Sequence, residues 1–211
     1  EVAPEIRVYE RFSTTVCNAY VQPLMASYLG KIKAGLEGKD IKSPFLLITS
    51  GGGLTTLETA SKFPIRLVES GPAGGAILAS KVSSQIGSNA SLSFDMGGTT
   101  AKLCLIDSSE PRISRQFEVD RSYRFKKGSG LPLKIPVIEM LEIGAGGGSI
   151  AHVDKMDRIK VGPESAGSSP GPACYDLGGN QPTVTDADLL QGKMVIKNFP
   201  FFLNTDLGTE A

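Results

Sequence analysis

The spacing of apolar positions divides the chain into short helices and strands. Apolar residues recur three and four positions apart over residues 16–36, which predicts a helix that Ser13 or Thr14 can cap. Pro23 should bend this helix or mark a break in it. The continuous apolar run Phe45-Leu-Leu-Ile-Thr49, which comes directly before a glycine-rich turn, predicts a buried strand.

The middle of the chain alternates short helices with strands. The pattern predicts a helix over residues 56–63, a strand over 65–68 and a longer helix over about 73–86 that glycines open. Two apolar stretches within residues 91–106 flank a glycine-rich segment, which predicts a β-hairpin with Asp95-Met-Gly-Gly-Thr-Thr100 at its tip. We therefore expect this tip to be exposed.

The second half of the chain continues with β structure. Strand character extends to about residue 119, and the basic residues 120–134 predict an exposed loop or a contact with another subunit. The other elements predicted here are a strand over 135–143 interrupted at Pro136, a hairpin of 149–153 with 158–161, an irregular loop over 162–182, a helix over 186–192 capped by Thr185, and an apolar tail over 198–202 that packs on other residues.

The charge balance and the cysteines exclude several classes of function. Twenty-two basic and twenty-two acidic side chains give no net charge, so no global field would recruit nucleic acid or acidic lipid. No apolar run is long enough to span a membrane. Three cysteines without a C-x-x-C pair, and a single histidine, support neither a disulfide framework nor a zinc site, which favours a reducing cytoplasm.

Glycine is the informative part of the composition. The 25 glycines are about twice the usual share for a soluble domain, and no collagen-like period explains them. Five clusters hold most of them, at residues 51–53, 71–75, 97–98, 144–148 and 178–179. Such clusters at the ends of elements serve tight turns or the close approach of backbone to a ligand. Together they favour a binding function.

The hairpin tip from Asp95 to Thr100 carries the most specific chemistry. A carboxylate at a strand end can orient a metal-bound water, two glycines let backbone N–H groups approach phosphate oxygens, and two threonines add hydroxyl donors. The alternative is an ordinary Asp/Gly hairpin turn. The sequence contains neither the G-x-x-x-x-G-K-[ST] string nor the G-x-G-x-x-G string, so neither a Walker nor a Rossmann phosphate loop is expected.

This motif resembles the second phosphate loop of the actin/hexokinase/Hsp70 ATPase superfamily, which is D-x-G-G-T-T between strands. Five further stretches narrow the resemblance to the hydantoinase A/5-oxoprolinase family, and they occur in the same order. They are Glu10-Arg-Phe-Ser-Thr-Thr15 with Asn18-Ala-Tyr20, Ser70-Gly-Pro-Ala-Gly-Gly75, Glu142-Ile-Gly-Ala-Gly-Gly-Gly-Ser-Ile-Ala151, Pro170-Gly-Pro-Ala-Cys-Tyr175 and Pro182-Thr-Val-Thr-Asp186. The resemblance covers nearly the whole chain.

The resemblance implies an α/β fold of the ribonuclease-H-like, actin-like kind, in which a mixed sheet with flanking helices forms one lobe of a two-lobed protein. It implies that ATP is used to open a small cyclic amide such as a hydantoin or 5-oxoproline, with Mg²⁺ or another divalent metal and a partner subunit of the hydantoinase B type. Related subunits drive the carboxylation of ketones. An ATP-dependent ketone carboxylase component, a small-molecule kinase and a non-catalytic nucleotide-binding module therefore stay open as alternatives.

The resemblance also implies roles for individual residues. Asp95 would be catalytic and would hold a magnesium-bound water, with Glu139 as a second candidate metal ligand. The cofactor-binding candidates are Gly97, Gly98, Thr99 and Thr100 on the phosphates, Gly71, Gly74 and Gly75 at a helix start, and Gly144, Gly146, Gly147 and Gly148 near the nucleotide. For the last two glycine groups, close packing of helices and strands is the alternative.

No internal domain boundary is evident, so residues 1–211 are predicted to form a single hydantoinase/oxoprolinase domain, as a fragment of a longer chain. Family members carry a first phosphate loop as well, and we expect that half of the ATP cleft to lie outside this chain. The isolated chain should then lack ATP-dependent amidase activity. Of the other polar residues, His152 is expected to be hydrogen-bonded within the fold or at the surface, and Cys174 not to be a nucleophile. Asp186 is expected to serve its helix dipole, with a position facing the cleft as the alternative that the resemblance implies.

Overall fold

A computed structural model describes residues 2–4, 6–123, 126–194, 196–198 and 203–210 of the chain. Within them the α-helices are α1 (Val8–Glu37), α2 (Leu57–Lys62), α3 (Ser70–Gln85), α4 (Val184–Leu190) and α5 (Thr205–Glu210). Short 3-10 helices cover Pro64–Leu67, Ala173–Tyr175 and Ile196–Asn198. The strands are β1 (Leu46–Ile48), β2 (Leu54–Thr56), β3 (Ala90–Met96), β4 (Ala101–Asp107), β5 (Glu110–Pro111), β6 (Ile113–Ser114), β7 (Phe117–Val119), β8 (Leu131–Leu133), β9 (Val137–Ile138), β10 (Leu141–Ile143), β11 (Ser149–Val153) and β12 (Ile159–Ser165).

The strands pair in small sheets. In the largest, β4 is hydrogen-bonded to β3, β5 and β10, while the other pairs are β1 with β2, β6 with β9, β7 with β8 and β11 with β12. Helices and strands both contribute to the fold, in agreement with the predicted α/β class at that coarse level. Both predicted hairpins are confirmed, since β3 is followed by its partner β4 and β11 by its partner β12.

The chain forms two compact units. The first comprises residues 1–93 and 104–140, and the second comprises residues 94–103 and 141–211. The first unit has two clusters of buried apolar side chains, which are Ile65, Leu133, Ile135 and Val137, and Ala73, Ala76, Cys104 and Ile138. The second unit has a cluster of Cys174, Leu189 and Leu203. No helix among the described residues has the length and the apolar character that a bilayer-spanning helix needs.

The predicted cap of the first helix is wrong, because helix α1 begins at Val8, before Ser13 and Thr14. The helix continues through Pro23 without a break, and a bend at Pro23 stays a prediction. Thr14 is completely buried, and its hydroxyl accepts a hydrogen bond from the distant Lys134 N–H at 2.9 Å while it donates to the Glu10 carbonyl of the same helix at 2.7 Å. The threonine therefore serves tertiary packing, which local sequence patterns do not report.

Two predictions for the following strands also fail. The segment predicted as a strand over 65–68 is mostly the 3-10 helix Pro64–Leu67, since the fixed φ of Pro64 suits a first helical turn. Strand β1 forms as expected but is not buried, because Leu46 is 48% exposed and Ile48 is 36% exposed. The apolar tail 199–202 and residues 124 and 125 of the basic loop lie outside the described residues.

Polar side chains of helix α1 form hydrogen bonds with the rest of the first unit. The side chain of Asn18 bridges two backbone groups, donating from Nδ2 to the Lys62 carbonyl and accepting at Oδ1 from the Ile65 N–H, both at 3.2 Å. The Lys134 N–H donates to the Thr14 hydroxyl at 2.9 Å. Because Asn18 is 6% exposed, its removal would leave the Ile65 N–H buried without that acceptor.

The opposite face of α1 is apolar and exposed. Each residue of an α-helix is rotated by about 100° from the one before it, so side chains three and four positions apart lie on one face. In α1, one such stripe lies on the side opposite Asn18. The members of this outward stripe are between 56% and 86% exposed, and they are Tyr9, Phe12, Val16, Tyr20, Leu24 and Tyr28. The hydrophobic pattern that predicted the helix therefore lies largely on its outer face.

We predict that Asn18→Ala destabilises the chain by about 2 kcal/mol, because a buried N–H loses its acceptor. Urea unfolding of the purified chain measures this change. Tyr20→Ala on the outward stripe is the matched control, and it should alter the free energy of unfolding by no more than about 0.5 kcal/mol. Equal losses in the two variants would contradict the polar anchoring of α1.

Candidate functional site

The tip of the β3–β4 hairpin is a tight turn with exposed residues. Asp95 lies near the end of β3, and the residues from Gly97 to Thr100 connect β3 to β4. The Gly97 N–H donates to the Thr100 carbonyl at 2.9 Å and so closes the turn. Asp95 through Thr99 are exposed, as the sequence predicted. We call residues 95–100 the tip loop.

A second glycine-rich segment, residues 144–148, lies against the tip loop. The Gly147 N–H donates to the Gly97 carbonyl at 2.9 Å, and the Gly148 N–H donates to the Gly98 carbonyl at 2.7 Å. The two segments thus join by backbone hydrogen bonds, with no side chain between them. All of these residues belong to the second compact unit.

These bonds leave the tip loop with an excess of free donors. The carbonyls of Gly97 and Gly98 are both occupied, whereas the N–H groups of Gly98 and Thr99 donate to no other described residue. The same is true of the Thr99 and Thr100 hydroxyls within the described part of the chain. A turn in which the carbonyls of Gly97 and Gly98 are bound while the N–H groups of Gly98 and Thr99 are free is suited to an anion.

Close packing explains why residues 146–148 are glycines. A Cβ on Gly146 would lie 2.6 Å from the backbone of Gly98 and Thr99, and a Cβ on Gly147 would lie 2.6 Å from the Thr185 hydroxyl. A Cβ on Gly148 would lie 3.0 Å from the Gly98 carbonyl oxygen. Any side chain at Gly146 would therefore displace the tip loop.

Helix α4 holds the second glycine segment in turn. The Thr185 N–H donates to the Gly147 carbonyl at 2.8 Å. The cap of α4 is Thr183 rather than the predicted Thr185, and its hydroxyl pairs with Asp186 in a capping box. Asp186 is 2% exposed, and its carboxylate accepts from the Thr183 N–H, the Thr183 hydroxyl and the Cys174 N–H, each at 2.8 Å.

The sequence suggested a dipole role for Asp186 or a position facing the cleft, and it missed this network, since Cys174 lies twelve positions away. Burial by itself raises the pKa of Asp186, but hydrogen bonds from Cys174 and Thr183 outweigh it and hold the pKa below its usual value. Burial and the neighbouring Asp186 carboxylate raise the pKa of the Cys174 thiol to about 12. The thiol is therefore neutral at pH 7, which agrees with the prediction that Cys174 is not a nucleophile.

Comparison with known proteins identifies the family. The family model described as hydantoinase/oxoprolinase matches residues 11–209. The chain belongs to the hydantoinase/oxoprolinase family. Two similar relatives are an uncharacterized protein of Methanocaldococcus jannaschii, 43% identical over 92% of this chain, and the caprolactamase subunit alpha of Pseudomonas jessenii, 38% identical over 91% of it. The resemblance inferred from the sequence is thus confirmed.

Solved structures of family relatives have a similar fold. A nucleotide-free acetone carboxylase matches 97% of this chain with a TM-score of 0.75 and 26% identity. The ATP-dependent caprolactamase of Pseudomonas jessenii matches 98% of the chain with a TM-score of 0.65 and 33% identity. The chain spans 26–29% of the length of these relatives and structures.

A further glycine-rich motif, residues 70–75, forms the first turns of helix α3 in the first unit. A Cβ on Gly74 would lie 3.1 Å from the Ile48 side chain, so this glycine allows close packing of α3 on β1. Gly71 and Gly75 face open space, since no atom lies within 4 Å of a Cβ at either position. Packing therefore explains Gly74 and leaves the other two available for a ligand.

The predicted metal ligands Asp95 and Glu139 lie in different units, and Glu139 is exposed with its N–H donating to the Arg112 carbonyl at 2.8 Å. The described residues contain no group of three or more His, Cys, Asp or Glu side chains that could hold a metal.

Two other polar residues of the second unit, Glu142 and His152, lie outside the tip loop. The Oε1 atom of Glu142 lies 4.0 Å from the Nζ atom of Lys102. His152 is exposed, as predicted.

We predict that Gly146→Ala destabilises the chain by about 1–3 kcal/mol, because the added methyl group overlaps the backbone of the tip loop. Urea unfolding measures the change in stability, and hydrogen exchange at the Gly148 N–H reports on its bond to the loop. Gly30→Ala is the control, since no atom lies within 4 Å of its Cβ inside α1. This control should stabilise the helix by about 0.5–1 kcal/mol. A Gly146→Ala variant as stable as the wild type would contradict the close packing.

We predict that Asp186→Asn costs roughly 2–3 kcal/mol at neutral pH, because charge-assisted hydrogen bonds are lost. The folded pKa of Asp186 is lowered, so its contribution is complete above the unfolded pKa of about 3.9 and is lost as pH falls through the folded pKa. The difference in unfolding free energy between variant and wild type should shrink below about pH 4.

Asp188→Asn is the matched control on the same helix. Asp188 pairs with Lys193 at 3.0 Å near the surface, so this substitution should cost no more than about 1 kcal/mol. Unfolding measured from pH 2 to pH 7 decides the question. A deficit of Asp186→Asn that stays constant over this range would contradict a lowered pKa of Asp186 in the folded protein.

Proposed function

We propose that this chain is part of an ATP-dependent cyclic-amide hydrolase of the hydantoinase/5-oxoprolinase type, in which the tip loop is the second phosphate-binding loop. The observation that carries the proposal is the pairing of the Gly97 and Gly98 carbonyls with Gly147 and Gly148. This pairing occupies two carbonyls of the loop and leaves the Gly98 and Thr99 N–H groups as donors for phosphate oxygens. The relationship to an ATP-dependent caprolactamase supports the use of ATP.

The residues of the tip loop fit a nucleotide phosphate and a magnesium ion. The N–H groups of Gly98 and Thr99, with the hydroxyls of Thr99 and Thr100, would bind the β- and γ-phosphates, and Gly97 shapes the turn. The exposed carboxylate of Asp95 would hold a magnesium-bound water. Bound ATP would supply a phosphoryl group to the amide oxygen of the substrate, which would activate the carbonyl carbon toward attack by water. Fixed donors at the loop would stabilise the charge that develops during transfer.

The remaining predicted site residues have supporting roles in this proposal. The segment 144–148 would lie near the nucleotide and hold the tip loop in place. Gly71 and Gly75 at the start of α3 would offer a further anion contact, together with Gly74. Glu139 is the second candidate metal ligand.

The proposal also includes the fold of the whole protein, its partner subunit and its location in the cell. The fold would be ribonuclease-H-like, as in actin-like ATPases, and the chain would be one lobe of a larger protein, since relatives are three to four times as long. A partner subunit of the hydantoinase B type is proposed because the caprolactamase relative is itself one subunit of an enzyme. We propose a cytoplasmic location from the three unpaired cysteines.

The second candidate function is a component of an ATP-dependent ketone carboxylase. The similarity to acetone carboxylase, at a TM-score of 0.75, favours it. The two functions differ in their co-substrate. Turnover of a ketone that requires bicarbonate would select the carboxylase, whereas ATP-dependent opening of hydantoin, 5-oxoproline or caprolactam without bicarbonate would select the hydrolase.

We predict that Asp95→Asn lowers turnover by about a hundred- to a thousandfold in the native enzyme that contains this chain, while its thermal midpoint is unchanged. The substitution keeps the volume of the side chain and removes its charge. ATP-dependent amide hydrolysis and thermal unfolding are measured on the same preparation. Asp107→Asn, an exposed aspartate at the other end of β4, is the control and should retain full turnover.

The opposite result has a definite meaning. If Asp95 only stabilises the hairpin turn, Asp95→Asn lowers the thermal midpoint and leaves the rate intact. An unchanged rate with a lowered midpoint would therefore rule out the proposed phosphate site.

A further inference from the structure

The first unit contains a cavity that none of the assignments above uses. Its volume is about 430 Å³, within the usual range for small-molecule sites. The N-terminal residues, the turn between β1 and β2, the 3-10 helix Pro64–Leu67 and the segment 134–136 surround it. Every lining residue belongs to the first unit, and none belongs to the tip loop or to residues 144–148.

The charges at this cavity are of one sign. Arg66 and Lys134 line it, and no acidic side chain is among the lining residues that the structure describes. Neither cation forms an ion pair with a described carboxylate, unlike Arg121, Arg158 and Lys193 elsewhere in the chain. Two half-buried cations that share a cavity repel each other, and a bound anion would relieve that repulsion.

The backbone that carries the two cations is fixed. The Arg66 carbonyl accepts from both the N–H and the hydroxyl of Ser50, at 2.8 and 2.7 Å, and Ser50 is 1% exposed. The guanidinium of Arg66 stacks on Phe63, with its carbon 5.0 Å from the ring centre. The N–H of Lys134 is held by the buried hydroxyl of Thr14. A fixed backbone and a stacked guanidinium lower the entropic cost of binding a ligand at this cavity.

The rest of the lining selects among anions. Leu54, Ile135 and Pro136 form apolar walls, and the half-buried Thr55 has a hydroxyl without a hydrogen-bond partner among the described residues. Inorganic phosphate could bind the two cations and the hydroxyl, but the apolar walls would stay in contact with water. A carboxylate matches the planar fork of an arginine, and an apolar body attached to it would cover those walls.

We propose that this cavity is a binding site for a small organic carboxylate with an apolar body. Arg66 binds the carboxylate through its guanidinium, Lys134 adds a second positive charge, Thr55 donates a hydrogen bond, and Leu54 with Ile135 contacts the apolar part. The inference does not depend on the proposed ATP site, because the two share no residue.

The test is a titration of the purified 211-residue chain with 3-phenylpropionate at low salt, followed by calorimetry and by amide chemical shifts. We expect saturable binding with shifts confined to residues 49–55, 66 and 134–136. The neutral isostere 3-phenylpropanamide and inorganic phosphate should each bind at least tenfold more weakly. The amide lacks the charge, and phosphate lacks the apolar body.

Variants separate this cavity from unspecific attraction to basic side chains. Arg66→Leu and Lys134→Met should each weaken binding of 3-phenylpropionate at least tenfold, whereas Arg115→Leu, at an exposed arginine outside the cavity, should leave it unchanged. Circular dichroism checks that each variant is folded, and if Arg66→Leu unfolds, Lys134→Met and the amide comparison decide. The proposal is overturned if binding does not saturate, if the amide or phosphate binds as tightly, or if Arg115→Leu weakens binding as much as the cavity variants.

Discussion

The candidate site depends on the contact between two backbone segments, at Gly97-Gly98 and at Gly146-Gly147-Gly148. The segments approach so closely that a Cβ on Gly146 would lie 2.6 Å from backbone atoms of the tip loop. The hydrogen bonds formed there occupy the two loop carbonyls. A short turn that lacks side-chain supports would otherwise be mobile, so this contact fixes both the shape of the loop and the chemistry it presents.

Asp186 supplies the rigidity behind that contact. Its carboxylate is almost completely buried, and such a charge is stable only where hydrogen bonds replace the water it loses. Donors from Thr183 and Cys174 do so, and they fix the start of α4 against the 3-10 helix Ala173–Tyr175. Thr185 then positions Gly147, which positions Gly97. A run of short-range bonds thus links a buried carboxylate to an exposed loop.

The sequence predicted those parts of the fold that follow from local pattern. The β3–β4 hairpin and its exposed glycine tip were correct because two apolar stretches flank residues that favour turns. The strand predicted over residues 65–68 was wrong because Pro64 and a distant bond from Asn18 to Ile65 select a 3-10 helix instead. The donors to Asp186 could not be predicted, since Cys174 reaches it only through the fold. Local pattern carries no information on which distant groups meet.

Helix α1 shows a further limit of hydrophobic periodicity. The pattern located the helix correctly, yet its apolar stripe lies outward while Thr14 and Asn18 make the contacts within the first unit. Periodicity reports that a face carries apolar side chains, but it does not say which neighbour, if any, lies against that face. Contiguous exposed apolar surface of this kind is typical of faces that pack on other protein. Helix α1 therefore has two faces. One face carries exposed tyrosine, phenylalanine and leucine side chains, and the other makes buried hydrogen bonds with the rest of the first unit.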